Sequence, residues 1–283
     1  FDQALSWIDG CRRRGDPFFA YIATNAPHGP LWVPDRYRQE YIGEVERREA
    51  SFFGMIACID ENMARLESFL RQRGLRENTI LIFMTDNGTA SGSRVFNAGM
   101  RGGKKSLYEG GHHVPFFVRW PAAGIGGGRD IGGLTRATDV LPTLIDLCGL
   151  RTADGLTFDG LSLASALRSG AAPNPQRMAV VQYGHENEGV WGYTQKHTAA
   201  VLWRNWRLVN GEELYDLETD PAQERDATKD RPEIARRLAE FYEGWWSALG
   251  GGLREYQRIA IGSAAENPVC LCSADWAWAY ADN

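Results

Sequence analysis

The chain has 283 residues, of which 43% are hydrophobic, 11% aromatic and 24% charged, with a net charge of −5. That composition excludes disorder, collagen-like repeats and a coiled coil, and the length suits one large or two unequal domains. No run of Lys or Arg forms the basic stripe that nucleic acid or an anionic membrane surface requires, and no stretch approaches the roughly 20 apolar residues of a membrane span, so neither partner is expected.

The chain opens on an amphipathic helix already in progress, with Phe1, Leu5 and Ile8 on one face, and no basic-then-apolar secretory signal precedes it. It therefore reads as a piece of something longer. Residues 18–24 (FFAYIAT) are a short apolar run bounded by Pro17 and a Pro-rich turn, the pattern of a buried strand feeding a loop. From about Glu46 to Arg73, Phe52, Ile56, Ile59, Met63, Leu66 and Leu70 recur at helical spacing, and Gly74 supplies a C-terminal cap. Thr79 to Met84 is a continuous apolar, partly β-branched run, which predicts an interior strand of a mostly parallel sheet, covered on both faces. Its end delivers Asp86-Asn87-Gly88 to the rim.

A Gly-rich loop from Arg101 to Gly111 precedes a second apolar run, Val114 to Trp120, so the order strand, helix, strand, loop, strand is that of an α/β fold. Thr138 and Asp139 lead into a helix over Leu141 to Leu147, with Pro142 in its first turn and Gly149 as its stop. Around Ser169 to Gln176 the texture turns to Gly, Ala, Pro and Asn, which places a boundary there and divides the chain into 1–170 and 171–283. Met178 to Tyr183, Thr198 to Trp203, Trp206 to Val209 and Glu213 to Leu217 then predict a small antiparallel sheet, with a helix over Pro232 to Leu249 laid against it. The five cysteines, Cys11, Cys58, Cys148, Cys270 and Cys272, are odd in number and lack zinc-site spacing; they decide neither the redox compartment nor whether Cys270 and Cys272 pair.

In open α/β sheets ligands bind beyond the carboxyl ends of the strands, so polar residues delivered there are the candidates for chemistry. Asp86 and Asn87 offer a carboxylate and an amide oxygen, hard donors that suit Ca²⁺ or Mg²⁺ better than zinc, although Asp-Asn-Gly is equally good turn chemistry. His28 lies between Pro27 and Pro30, which stiffen its loop; a lone histidine is more often structural than catalytic. Lys104 stands among Gly102, Gly103, Gly110 and Gly111, which permit close backbone approach to an anion, whereas most lysines are only solvated. Lys105 next to it serves as the control for that alternative.

Taken in order, Asn25-Ala-Pro27-His28-Gly29-Pro30, Thr85-Asp86-Asn87-Gly88 and Arg101-Gly-Gly-Lys104-Lys105-Ser-Leu-Tyr108-Glu109-Gly-Gly111 resemble the type I sulfatases of the alkaline-phosphatase-like superfamily. Asp159-Gly-Leu-Ser162-Leu163, Trp206 to Asn210, Glu213-Leu-Tyr215-Asp216-Leu217 and Asp220-Pro221 are similar to that family's later landmarks. The resemblance implies a mostly parallel α/β sheet with helices on both faces, a partial catalytic domain over 1–170 and a C-terminal subdomain over 171–283. It also implies hydrolysis of a sulfate ester of a small molecule or carbohydrate at a calcium site, with Mg²⁺ as the other candidate. Asp86 and Asn87 match a metal-binding pair, His28 the histidine near the bridging oxygen, and Lys104 the lysine on the sulfuryl oxygens. The family's habit further implies a periplasmic or secreted protein and leaves the oligomeric state open.

The departures are equally definite. Sulfatases make a formylglycine nucleophile from a Cys/Ser-x-Pro-x-Arg motif, and no Cys or Ser here has Pro two and Arg four residues later. The family's first Asp-Asp metal pair has no counterpart either, which reads as truncation at the N-terminus, and the C-terminal stretch beginning at Asn267 also reads as cut short after Asn283. His113 stands where many relatives have Arg. The chain alone is accordingly expected to be inactive. Two alternatives remain open: a phosphoester or phosphonate hydrolase of the same superfamily, from which Asn87 leans away, and a non-catalytic relic.

Overall fold

A computed structural model of the chain describes residues 1–182, 198–249, 259–261 and 269–271. Contacts divide the chain into two compact units. The first comprises Phe1–Ala98, Val114–Asp130 and Leu167–Gly170, and the second Gly99–His113, Ile131–Ala166 and Ala171–Asn283.

In the first unit, α1 (Asp2–Arg14) starts with an acidic residue, ends with three arginines and stops at Gly15 in the left-handed conformation, a charge order that favours the helix dipole. It buries Ile8 and Cys11. The short α2 (Asp35–Arg38) leads to α3 (Arg47–Gln72), the long helix that the apolar spacing predicts. Gly74 N–H donates to the Arg71 carbonyl and Leu75 N–H to that of Leu70, closing the helix with the expected glycine cap. Its buried stripe differs from the expected one. Phe52, Met55, Leu66 and Leu70 are inside, whereas Ile56 is exposed, because a 26-residue helix drifts in phase against any fixed set of neighbours.

Two strand expectations need correction. Residues 18–24 form no strand, and Phe19 and Tyr21 are largely exposed; an extended apolar run becomes a strand only where another strand accepts its ladder, and none among the described residues does. Thr79 to Met84 contributes β1 (Leu81–Met84), which pairs antiparallel with a strand over Phe116–Arg119. Before that partner the chain forms α4 (Glu109–His112), and the partner is β2 (Phe116–Arg119). β1 is half-buried, with Met84 exposed, and so is not the doubly covered interior strand that its sequence suggests.

The second unit follows the sequence closely. α5 (Val140–Cys148) ends at a left-handed Gly149, as expected, while α6 (Ala164–Ser169), of which only Ala164–Ala166 belong to this unit, is a short helix with no periodic signal to announce it. β3 (Met178–Gln182), β4 (Ala199–Trp203), β5 (Trp206–Val209) and β6 (Glu213–Asp216) make one antiparallel sheet in chain order; Tyr183, expected in the first of them, lies outside the described residues. α7 (Pro232–Ala248) lies on one face of this sheet, with Leu238 and Tyr242 packed against Val201, Trp203, Leu208 and Leu214. The opposite face buries Ala179, Ala200, Leu202, Val209 and Tyr215, with Leu107 and Tyr108 against them. β7 (Ile259–Ile261) and β8 (Val269–Leu271) form a separate antiparallel pair. Cys11, Cys58 and Cys148 are free thiols, and Cys272 lies outside the described residues.

Candidate active site

His28, Asp86 and Asn87 belong to the first unit and Lys104 to the second. Asp86 and Asn87 follow the end of β1 in a bend, Asp86 exposed and Asn87 half-buried, and Asp86 Oδ1 accepts the Asn87 backbone N–H at 3.0 Å. One lobe of the carboxylate is thus used in fixing its own turn, so the turn chemistry and the outward-facing donor coexist. A carboxylate and an amide oxygen fit a hard cation, but they amount to two donors of the six to eight that Ca²⁺ takes. Among the described residues no group of three or more His, Cys, Asp or Glu could hold a metal ion.

His28 is exposed on a turn closed by its own N–H to the Asn25 carbonyl at 2.9 Å, and both prolines beside it follow cis peptide bonds. Its Nδ1 lies 3.0 Å from the Gly29 carbonyl oxygen. A carbonyl only accepts, so Nδ1 carries the hydrogen and Nε2 is the ring nitrogen left for chemistry.

Lys104 sits in a turn that Ser106 N–H closes onto the Gly103 carbonyl at 2.9 Å. It is half-buried and makes no hydrogen bond or ion pair among the described residues; Lys105 is exposed, with a left-handed φ of 75°. The glycines are sterically required. A Cβ on Gly102 would strike the Ser106 side chain, and one on Gly111 would strike the Ser106 carbonyl. The loop therefore folds back on itself, and Gly110 N–H donates to the Arg101 carbonyl at 2.8 Å across its neck.

Beneath the loop lies a charged cluster that the sequence did not announce. Glu109 is buried and accepts from Arg207 Nε at 2.5 Å and from His113 Nδ1 at 3.0 Å. Burial works against its ionisation, but the donors on His113 and Arg207 prevail and hold the carboxyl down to about 2. The hydrogen bond to Glu109 raises the His113 imidazole, while burial lowers that of His112, whose Nε2–H donates to the Leu107 carbonyl at 3.2 Å. His113 thus meets Glu109 directly. Alongside, one carboxylate oxygen of Glu213 accepts from the hydroxyls of both Tyr108 and Tyr215 at 2.8 Å. Burial and then Glu213 push the Tyr215 phenol up to about 12, so it remains a donor. Arg207 lies 98 positions from Glu109 and Glu213 lies 105 from Tyr108, and no local spacing rule reaches that far.

A family model described as Sulfatase matches residues 1–150. The chain is 30% identical over 210 residues to Arylsulfatase J of Mus musculus, covering 70% of this chain and 34% of that protein. To the uncharacterized sulfatase YdeN of Escherichia coli (strain K12) it is 29% identical over 199 residues, covering 67% of this chain and 35% of that one. Among solved structures, Ps i-CgsB in complex with k-i-k-neocarrahexaose superposes with a TM-score of 0.77 at 25% identity, covering 86% of this chain and 53% of that chain. The chain thus spans about a third of the length of these curated relatives.

Proposed function

The chain belongs to the sulfatase family, with its α/β alkaline-phosphatase-like fold, and from that premise we propose that the whole protein hydrolyses sulfate esters, of carbohydrates or aryl alcohols. The observation that carries this reading is Lys104: a half-buried ammonium without an ion-pair partner among the described residues, presented by a self-closed glycine loop inside the family-matched segment. An ammonium so held stabilises negative charge on sulfuryl oxygens without reorganising. His28, with Nδ1–H engaged by the Gly29 carbonyl, would deliver a proton to the departing alkoxide from Nε2 when the ring is the doubly protonated imidazolium, and be left as the neutral Nδ1–H tautomer. Asp86 and Asn87 would supply two hard oxygens to a calcium or magnesium ion, which when bound adds Lewis-acid charge at the sulfuryl group.

The formylglycine that sulfatases use needs a Cys/Ser-x-Pro-x-Arg segment, absent from these 283 residues. A sulfated carbohydrate is favoured as substrate because the structural neighbour was solved with neocarrahexaose. Residues 1–170 are read as part of the catalytic domain and 171–283 as a C-terminal subdomain, and the family resemblance supports a periplasmic or secreted site of action. Among the described residues no helix is long and apolar enough to cross a membrane.

The test is turnover of 4-nitrophenyl sulfate by a chain extended to include the nucleophile segment. Lys104→Ala should lower kcat by about 10²- to 10³-fold, Lys105→Ala should leave it within about twofold, and chelation of divalent metal should abolish it. Turnover by the 283-residue chain above its own Lys104→Ala control would overturn the nucleophile assignment. Faster turnover of the matching aryl phosphate would move the protein to phosphoester chemistry.

A further inference from the structure

Gln223 lies far along the chain from the Lys104 loop and yet touches both of its stems. At the loop's start, Arg101 Nη1 donates to the Gln223 carbonyl at 2.8 Å and to the Tyr215 hydroxyl at 3.0 Å. At its end, the Glu109 backbone N–H donates to Gln223 Oε1 at 2.8 Å. The same guanidinium stacks 3.7 Å above the Tyr108 ring, a cation–π contact that removes further freedom from the entry stem.

Gln223 bears two local costs in this position. Its φ is 53°, a left-handed conformation in which a non-glycine side chain is strained, and its Nε2 is buried with no hydrogen-bond partner among the described residues. The residue is fully inaccessible to solvent. A strained backbone and an orphaned buried donor persist only where the surroundings over-determine them, and such sites concentrate where geometry matters for function. Here the consequence of that geometry is a closed neck, Arg101 to Gly110, with Lys104 at the tip.

We infer that Gln223 is a positioning residue: by bracing Arg101 with its carbonyl and Glu109 with its side chain, it holds the Lys104 ammonium in the place from which it meets an anionic substrate group. The consequence for sulfate rests on the functional reading above; the clamp itself does not. Preorganisation of this kind matters because a charge that must be repositioned at the moment of reaction stabilises less than one already in place.

The test uses the 283-residue chain, acetylated with an N-hydroxysuccinimide ester and read by peptide mass spectrometry as the rate at Lys104 divided by that at Lys105. Taking the ratio removes any general loosening, which raises both rates. Gln223→Gly relieves the left-handed strain while deleting the acceptor, and should raise the ratio about tenfold, the factor that corresponds to 1.4 kcal/mol of lost loop fixation. Gln223→Glu keeps an oxygen for the Glu109 N–H and should return the ratio to the parent value. Should Gln223→Gly lose its far-UV circular dichroism, Tyr215→Phe, which removes one hydroxyl from the clamp, decides instead with an expected rise of about twofold. A folded Gln223→Gly chain with an unchanged ratio would overturn the inference, as would a Gln223→Glu chain as reactive as Gln223→Gly, or an unchanged ratio in Tyr215→Phe where that variant decides. A separate arm adds sodium sulfate at constant ionic strength: protection of Lys104 but not Lys105 supports the sulfate reading, and equal rates count against that reading while the clamp is still judged on the ratio.

Discussion

The two compact units differ in how far they cover their large aromatic side chains. In the first, Phe19, Tyr21, Trp32, Phe96 and Phe117 are between 65% and 86% exposed, and what is buried belongs mainly to helix faces such as Ile8, Leu66 and Leu70. In the second, a four-stranded sheet is covered on one side by α7 and on the other by Leu107, Tyr108 and Leu134. Their ion pairs differ in the same sense. Arg36–Glu61 in the first unit is open to solvent, whereas Arg177–Asp139 and Arg207–Glu109 in the second are almost completely buried. An apolar run in a sequence therefore reports a need for burial; only the elements that pack on it decide whether that need is met.

The sharpest way to break this contrast is through charge. Asp139 takes two hydrogen bonds from Arg177, at 2.6 and 2.7 Å, and two from the backbone N–H groups of Arg136 and Leu161. Asp139→Ala should cost about 3–5 kcal/mol, since it leaves a buried guanidinium unpaired, whereas Glu61→Ala should cost about 0–1 kcal/mol. Loss of hydrogen-exchange protection in β3 and α5 for the first variant, with no comparable change in α3 for the second, is the expected result; equal effects would erase the distinction between the units.

Packing comes next. Leu238 is fully buried between α7 and the sheet, so Leu238→Ala should lower stability by about 2–5 kcal/mol. Phe19→Ala in the first unit should lie within about 0.5 kcal/mol of the parent. Thermal melting followed by circular dichroism gives both, and a large loss at Phe19 would mean that residues 18–24 are covered in solution.

The pH dependence is a finer probe of the second unit. Glu109 ionises at about 2 in the folded chain against an ordinary 4.5, so the folded state binds fewer protons between those values. Its contribution, on the order of 3 kcal/mol, is complete above about pH 4.5 and is lost as the pH falls towards 2. His112, lowered by burial, adds a loss in the same direction, starting below its ordinary 6.5. His113, raised by Glu109, acts oppositely: its contribution is present below 6.5 and fades as the pH rises through its raised value. Urea midpoints of the parent and of Glu109→Gln should accordingly differ most near neutrality and converge only as the pH approaches about 2; a constant difference would remove Glu109 as the origin of the acid limb.

Much of the second unit was legible because its signals are local. Strand-length apolar runs between Gly- and Asn-bearing turns marked β4 to β6, and Pro232 at the first turn of α7 and Gly149 after α5 marked helix ends. The glycines at 102 and 111, which the sequence offers as room for an anion to approach the backbone, are required by the loop's own contacts with Ser106. Arg101, Tyr215 and Gln223 were invisible as a set, because more than a hundred positions separate the first from the others and nothing in a glutamine announces a left-handed φ.

Periodicity, punctuation by Gly and Pro, and residue chemistry, all encoded within a few neighbouring positions, were enough to determine α1, α3, α5 and α7, the hairpins of the four-stranded sheet and the identities of Lys104, Asp86, Asn87 and His28 as candidates. Whether β1 is an interior or a half-open strand, which stripe of α3 faces inward, and which distant residues brace the lysine loop were decided only by tertiary structure. The physical reason is that burial and hydrogen-bond partnership are properties of pairs of segments: a carboxylate such as Glu109 becomes a buried, strongly acidic hub only once Arg207, nearly a hundred residues later, folds back to meet it.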